Sequence, residues 1–230
     1  MRQSQILWDF VEFSISYLGT SKSADYQDIV ILFLTENLEQ EKFFLEIGAY
    51  DGVYKSNCYL LEFNGWKGLA VEPNETTIDF FHKHRSTELL SVAVVENKNS
   101  HKEYNFSEGK RDSSNFIFIK NGDSLLKQVS QVKIISTAKL KEIFYTKFQC
   151  SPTYLSLDIE GMDSSILNDF FLIDFYPTVI SIEYNNVQSE LFRIRNFASD
   201  YGYEIILQIR LTEQFNISLY NVLNSLSCYE

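Results

Sequence analysis

Three stretches of the sequence end an apolar run in carboxylates with glycine close by. The first is Phe43-Phe44-Leu45-Glu46-Ile47-Gly48-Ala49-Tyr50-Asp51-Gly52. A strand that runs into a glycine-containing turn and then a helix lets a bound ligand approach the backbone, and Glu46 stands at the carboxyl end, where open α/β sheets hold their ligands. By itself a Gly-x-x-x-Gly pattern serves equally well as a structural strand-to-helix turn. The second stretch, Leu69-Ala70-Val71-Glu72-Pro73-Asn74, places a carboxylate 24 positions after Gly48. That is close to the spacing of about 20 residues expected for an acid that accepts both hydroxyls of a ribose. Pro73 redirects the chain there, and Asn74 can cap the following helix. The third, Tyr154-Leu155-Ser156-Leu157-Asp158-Ile159-Glu160-Gly161, ends in two acids one residue apart, which point the same way while the strand persists. Asp158 and Glu160 suit proton removal from an acceptor, and with Glu183 and Asn185, at the end of a further apolar run, they could receive a hydroxyl or hold a divalent cation. The bland alternative is that Asp158 or Glu160 only caps the next helix.

The glycine pattern separates two cofactors that both present a ribose. A dinucleotide needs Gly-x-Gly-x-x-Gly so that its pyrophosphate can rest on a helix amino terminus. Here bulky Tyr50 and anionic Asp51 lie between Gly48 and Gly52, and Asp51 would repel pyrophosphate. S-Adenosylmethionine has no phosphate and carries a sulfonium and an ammonium, so carboxylates at Glu46 and Asp51 are compatible with it.

These residues need a scaffold, and the surrounding pattern supplies one. Apolar strand-like runs at 43–47, 68–71, 89–95, 132–135, 154–159 and 178–183 alternate with helical patterns at 54–63, 76–84, 138–148, 163–170 and 191–201. That alternation predicts a doubly wound, mostly parallel α/β sheet, with 154–159 beside 43–47. Two β-rich runs at 203–209 and 215–222 lack a helix between them and predict an antiparallel hairpin. Short strands are expected near 102–106 and 115–119 within a polar region from 97 to 130. Residues 1–41 hold two helical patterns, 7–18 and 24–38, and read as a helical appendage to a catalytic domain at 42–230. They either pack on the sheet or cover the substrate.

Composition narrows the function classes. The 230 residues are 45% hydrophobic and 15% aromatic with only 3 Pro, which predicts a folded core. A net charge of −11 without a Lys/Arg cluster argues against a nucleic-acid partner. Asp9 and Glu12 interrupt the first helical pattern, so it lacks the h-region of a signal peptide, and the apolar run 29–34 is far short of the ~20 residues of a membrane span. Cys58, Cys150 and Cys228 are odd in number and scattered, which suits reduced thiols and a cytoplasmic location.

Several ordered motifs together resemble the FkbM-type methyltransferases: Glu46-Ile-Gly-Ala-Tyr-Asp-Gly52, Ser56-Asn57, Leu61-Glu62, Gly65-Trp66-Lys67-Gly68, Val71-Glu72-Pro73-Asn74 and Asp158-Ile-Glu160-Gly161. The resemblance covers about residues 26–185, starting at Tyr26-Gln27-Asp28. It implies a Rossmann-like class I methyltransferase with a seven-strand sheet, transferring methyl from S-adenosylmethionine to an oxygen of a sugar or other small-molecule or glycan acceptor. Glu46, Gly48 and Asp51 would line the methionine end, Glu72 would hold the ribose and Asn74 would lie near the adenine. Ala49, Tyr50, Gly52, Asn57, Pro73 and Ala93 would complete the cofactor's surroundings. Asp158 and Glu160 would face the reacting centre, with Glu183 and Asn185 toward the acceptor. One departure is Cys58, where similar sequences commonly carry Thr. Two readings compete: a nicotinamide-dependent oxidoreductase, and a non-catalytic scaffold that keeps the methyltransferase fold.

Overall fold

The computed structural model describes residues 2–100, 105–107, 117–119, 130–159, 162–183, 188–211 and 214–221. Helices α1 (Arg2–Ile15) and α2 (Gln27–Leu34) precede strand β1 (Phe43–Ile47), and α3 (Tyr59–Phe63), β2 (Lys67–Val71), α4 (Ile78–His84), β3 (Glu88–Leu90) and β4 (Ala93–Val95) follow. Short strands β5 (Asn105–Ser107), β6 (Ile117–Ile119), β7 (Ser130–Gln131) and β8 (Ile134–Ser136) come next. The chain then alternates through α5 (Thr137–Phe148), β9 (Tyr154–Leu157), α6 (Asp163–Leu172), β10 (Val179–Glu183) and α7 (Gln188–Asp200) to β11 (Tyr203–Leu211) and β12 (Gln214–Asn221).

The main sheet has the order β11-β12-β10-β9-β1-β2-β3. Its five strands β3, β2, β1, β9 and β10 are parallel, while β12 runs antiparallel to both β10 and β11. Strand order reverses at β1: the chain first builds outward through β2 and β3, then returns to add β9 and β10 on the other side. In open α/β sheets, ligands bind at the carboxyl ends beside such a switch point.

Strand alternation gives the sheet two unlike faces. On one, Leu45, Ile47, Leu69, Val71, Leu155, Leu157, Ile180 and Ile182 pack with Phe144 of α5, Phe170 of α6 and Ile194 of α7 in one apolar cluster. On the other, Phe44, Tyr154 and Val179 pack with Ile29 and Ile31 of α2 and Leu60 and Leu61 of α3. One step toward the carboxyl ends, this second face turns polar. Glu46, Ser156 and Ser181 lie in register across β1, β9 and β10, and all three are buried.

Four expected elements are reshaped. The helix expected at 24–38 is shorter, starting after Tyr26, which has φ 57°, and ending at Thr35, whose hydroxyl bonds the Ile31 carbonyl. The helix expected at 54–63 begins only at Tyr59, because the Asp51 carboxylate and Ser56 hydroxyl accept the amides of residues 53, 54, 58 and 59 and hold that segment in turns. The run 89–95 is two strands: Val92 N–H turns back to the Leu90 carbonyl, and β4 pairs with β8 outside the main sheet. Strand β9 ends at Leu157 instead of continuing to 159, although Asp158 N–H still donates to the Ile47 carbonyl. Among the described residues no helix is long and apolar enough to cross a membrane.

Candidate active site

The carboxyl ends of β1, β2 and β9 converge around one turn. Gly48 and Ala49 both donate to the Val71 carbonyl, at 2.9 and 3.1 Å, which folds the chain leaving β1 over the end of β2. Gly48 has φ +89°, and a Cβ there would lie 1.9 Å from the Asp158 carbonyl oxygen, so no side chain fits between β1 and β9. Tyr50 also has positive φ, 48°, and its N–H donates 2.8 Å to Glu72 Oε2. Asn74 N–H donates 2.8 Å to Glu72 Oε1. Two backbone amides therefore fix the Glu72 carboxylate, one per oxygen, and each oxygen keeps lone-pair capacity for a further donor. Burial pushes the Glu72 carboxyl up to about 7, against the pull of those amides; the charges of Asp158 and Glu46 add to the rise.

Asn74 caps the turn that opens α4, accepting from Thr76 N–H at 3.0 Å and the Thr76 hydroxyl at 2.7 Å, as the Pro73-Asn74 sequence suggested. Asp51 Oδ1 accepts from the Val53 and Tyr54 amides, at 2.9 and 2.7 Å, so this carboxylate shapes the turn. Asn57 bridges: its Oδ1 accepts from the Ser23 hydroxyl at 2.7 Å, and its Nδ2 donates 3.1 Å to Ser156 Oγ. The segment before α2 is thereby tied to the polar face of the sheet. Asp28 in α2 is buried and accepts from the Ser21 hydroxyl and the Lys22 amide.

Glu46 departs most from expectation. Its carboxylate is buried, with Oε1 accepting from the Ser56 hydroxyl at 2.7 Å and Oε2 lying 3.2 Å from Arg85 Nη1. The carboxylate expected to line the methionine end already has a cationic partner. Burial pushes its carboxyl up, while Arg85 and Ser56 oppose the rise. Neither Arg85 nor Glu62, which also pairs with Arg85, was assigned a role from sequence. The available signal was physical: a glutamate inside an apolar strand calls for a buried countercharge. Cys58 is fully buried beside this group, and burial holds its thiol well above the ordinary range.

Asp158 follows β9 directly, against Gly48. The helix-capping role considered for it is not seen: the N-cap of α6 is Met162, without a side-chain cap bond, and Asp163 Oδ1 instead accepts from the Ile159 amide at 2.9 Å, which ties the loop after β9 to the start of α6. Glu183 is buried at the end of β10, whose Ile182 is in register with Leu157 of β9. Glu160 and Asn185 lie outside the described residues. Ala93 is buried in β4, where its N–H donates to the Lys133 carbonyl. Among the described residues no group of three or more His, Cys, Asp or Glu side chains is arranged to hold a metal ion.

The sequence from residue 46 to 205, which spans this whole edge of the sheet, matches the model of the methyltransferase FkbM domain. The chain belongs to the FkbM methyltransferase family. No curated protein sequence matches it. Among solved structures, the C-terminal domain of precorrin-6Y C5,15-methyltransferase from Rhodobacter capsulatus is similar at 10% identity and a TM-score of 0.48, covering 84% of this chain and 86% of that one. The corresponding enzyme from Geobacter metallireducens aligns at 12% identity and a TM-score of 0.47, covering 84% and 86%. A putative RNA methyltransferase from Pyrococcus horikoshii aligns at 12% identity and 0.46, covering 98% of each chain. Membership in the FkbM family makes this chain an S-adenosylmethionine-dependent methyltransferase and rests on the sequence match.

Proposed function

We propose that this FkbM-family protein methylates a hydroxyl oxygen of a sugar or other small-molecule or glycan acceptor, with Asp158 as the proton acceptor. The observation that carries the cofactor half of this reading is the Glu72 carboxylate, buried at a strand end and held by two backbone amides. A carboxylate so fixed suits two vicinal ribose hydroxyls better than a solvated strand-end acid would. Gly48, Ala49 and Tyr50 would line the cofactor beside it, and Pro73 and Asn74 would border the adenine. S-Adenosylmethionine, when bound, supplies an electrophilic methyl group. The protein's own work is positioning: the turn at 48–52 and the β9 end fix where an acceptor oxygen must stand, and Asp158 takes its proton. We read β12 and β11 as the terminal hairpin of a seven-strand methyltransferase sheet, and residues 1–41 as an appendage whose Ser23–Asn57–Ser156 chain borders the acceptor side.

Glu160 is the alternative proton acceptor, Glu183 and Asn185 belong to the acceptor side in this reading, and a divalent cation is held only if the acceptor brings further oxygen ligands. The net charge of −11 favours a small neutral acceptor over nucleic acid.

Calorimetric titration with S-adenosylmethionine, S-adenosylhomocysteine and NAD tests the cofactor assignment. Micromolar binding of the two adenosyl ligands, about −8 kcal/mol, lost in Glu72→Ala and absent for NAD, is the expected result. Binding of NAD alone would replace this reading with an oxidoreductase, and binding of none would favour a scaffold. Once an acceptor is found, Asp158→Ala should abolish turnover and leave cofactor affinity nearly unchanged.

A further inference from the structure

Arg85 joins the cofactor turn, β1 and α3 through a single side chain. It sits at the C-cap of α4, its side chain 1% exposed. Nη1 donates to the Gly52 carbonyl at 2.8 Å and lies 3.2 Å from both Glu46 Oε2 and Ser56 Oγ. Nε donates to Glu62 on α3. The guanidinium carbon is 5.3 Å from the Phe81 ring centre and 5.7 Å from that of Phe44, so the group is also wedged between aromatic faces.

Both ends of the assembly are anchored. Glu62 accepts in addition from the Ser86 amide and hydroxyl, each at 2.6 Å, and from the Thr87 amide at 3.1 Å. At the other end Gly52 has φ +78°, and a Cβ there would come within 2.5 Å of the Phe81 ring and 2.9 Å of Arg85 Cγ. The far end of the turn lies directly on Arg85 and Phe81.

We propose that Arg85 is the positioning residue of the cofactor turn, and that Glu46 acts on the cofactor only through Arg85. Arg85 holds the Gly52 carbonyl and the Ser56 hydroxyl in place, and Glu46 supplies the buried countercharge that keeps Arg85 there. The turn that receives the cofactor is thus set by a residue 33 positions later, at the end of α4. This inference rests on the cofactor assignment above for its affinity arm and is independent of it for its exchange arm.

The test uses the full chain with Arg85→Lys, Arg85→Met, Glu46→Gln and the double variant Glu46→Gln/Arg85→Met. S-Adenosylhomocysteine affinity is read by calorimetry, and amide hydrogen exchange over residues 48–59 is read without ligand. Arg85→Met should weaken binding by about 30-fold or more, because it frees the turn and leaves Glu46 buried without its partner. In that background Glu46→Gln should be neutral or partly restorative. If Glu46→Gln instead multiplies the loss by the same factor in both backgrounds, Glu46 touches the ligand itself and the proposal fails.

Arg85→Lys retains the charge but cannot reach Glu62 and Gly52 together. It should speed exchange over 52–59 by about tenfold while α6 and β10 keep their wild-type rates. Uniform acceleration, or none, would overturn the proposal, and this arm stands even if Arg85→Met does not fold. Wild-type protein that binds no adenosyl ligand would defeat the cofactor assignment, and the exchange result would still decide the role of Arg85.

Discussion

The two faces of the main sheet follow different rules. Against α5–α7 the strands present Leu, Ile and Val to a continuous apolar cluster of phenylalanine and aliphatic side chains. Against α2–α4, one step from the carboxyl ends, they present Glu46, Ser156 and Ser181, all buried. Burying such groups costs free energy unless each finds a partner, so the second face is a network of specific bonds, whereas the first is held by area and fit. The first face should therefore govern stability and the second ligand affinity, and the two should be separable by mutation.

The largest effect expected is on the apolar face. Phe170→Ala should cost about 3–5 kcal/mol in denaturant unfolding, with S-adenosylhomocysteine affinity of the folded fraction unchanged. A parallel loss of affinity would mean that the faces are coupled.

Glu72→Gln tests the opposite case. Its affinity for S-adenosylhomocysteine should fall about 100-fold, near 2.7 kcal/mol. Its stability should respond to pH with the reverse sign from an ordinary paired carboxylate. The folded-state value of about 7 lies above the ordinary glutamate value of 4.5, so the folded protein binds this proton more tightly than the unfolded chain. Stability attached to the protonated form is present below pH 4.5 and lost as pH rises through 7. Relative to wild type, Glu72→Gln should then gain about 3 kcal/mol between pH 4 and pH 8. Unfolding curves at the two ends of that range measure this directly.

Ligand affinity should follow the same titration, because hydroxyls bond more strongly to the ionised carboxylate. Wild-type binding should strengthen as pH rises through about 7, and Glu72→Gln should be flat. A flat wild-type profile would remove Glu72 from the ligand's contacts. The smallest effect is expected at Asn57, where replacement by Ala removes the link between Ser23 and Ser156 and should cost about 1 kcal/mol of stability.

Much of this architecture was legible because three of its central strands, β1, β2 and β9, end in a chemical signal. Glu46, Glu72 and Asp158 follow apolar runs, and those runs do pair side by side as β1, β2 and β9. What could not be read depends on contacts distant in sequence. Arg85 is a single cation after a helix, with nothing local to show that it reaches Glu46 and Glu62. The segment 54–58 looked helical by its pattern, but the side chains of Asp51 and Ser56 compete for its amides. The split of 89–95 follows from Ala93 bonding to Lys133, a partner 40 residues away that no local pattern announces.

The full burial of Cys58 at the start of α3 gives the molecule a built-in clock. A thiol sealed there reacts with an external reagent only when the surrounding segment opens, and its raised proton affinity slows the reaction further until solvent arrives. The sulfur records each excursion of the segment as a covalent mark. The labelling rate of Cys58 measures how often the start of α3 opens.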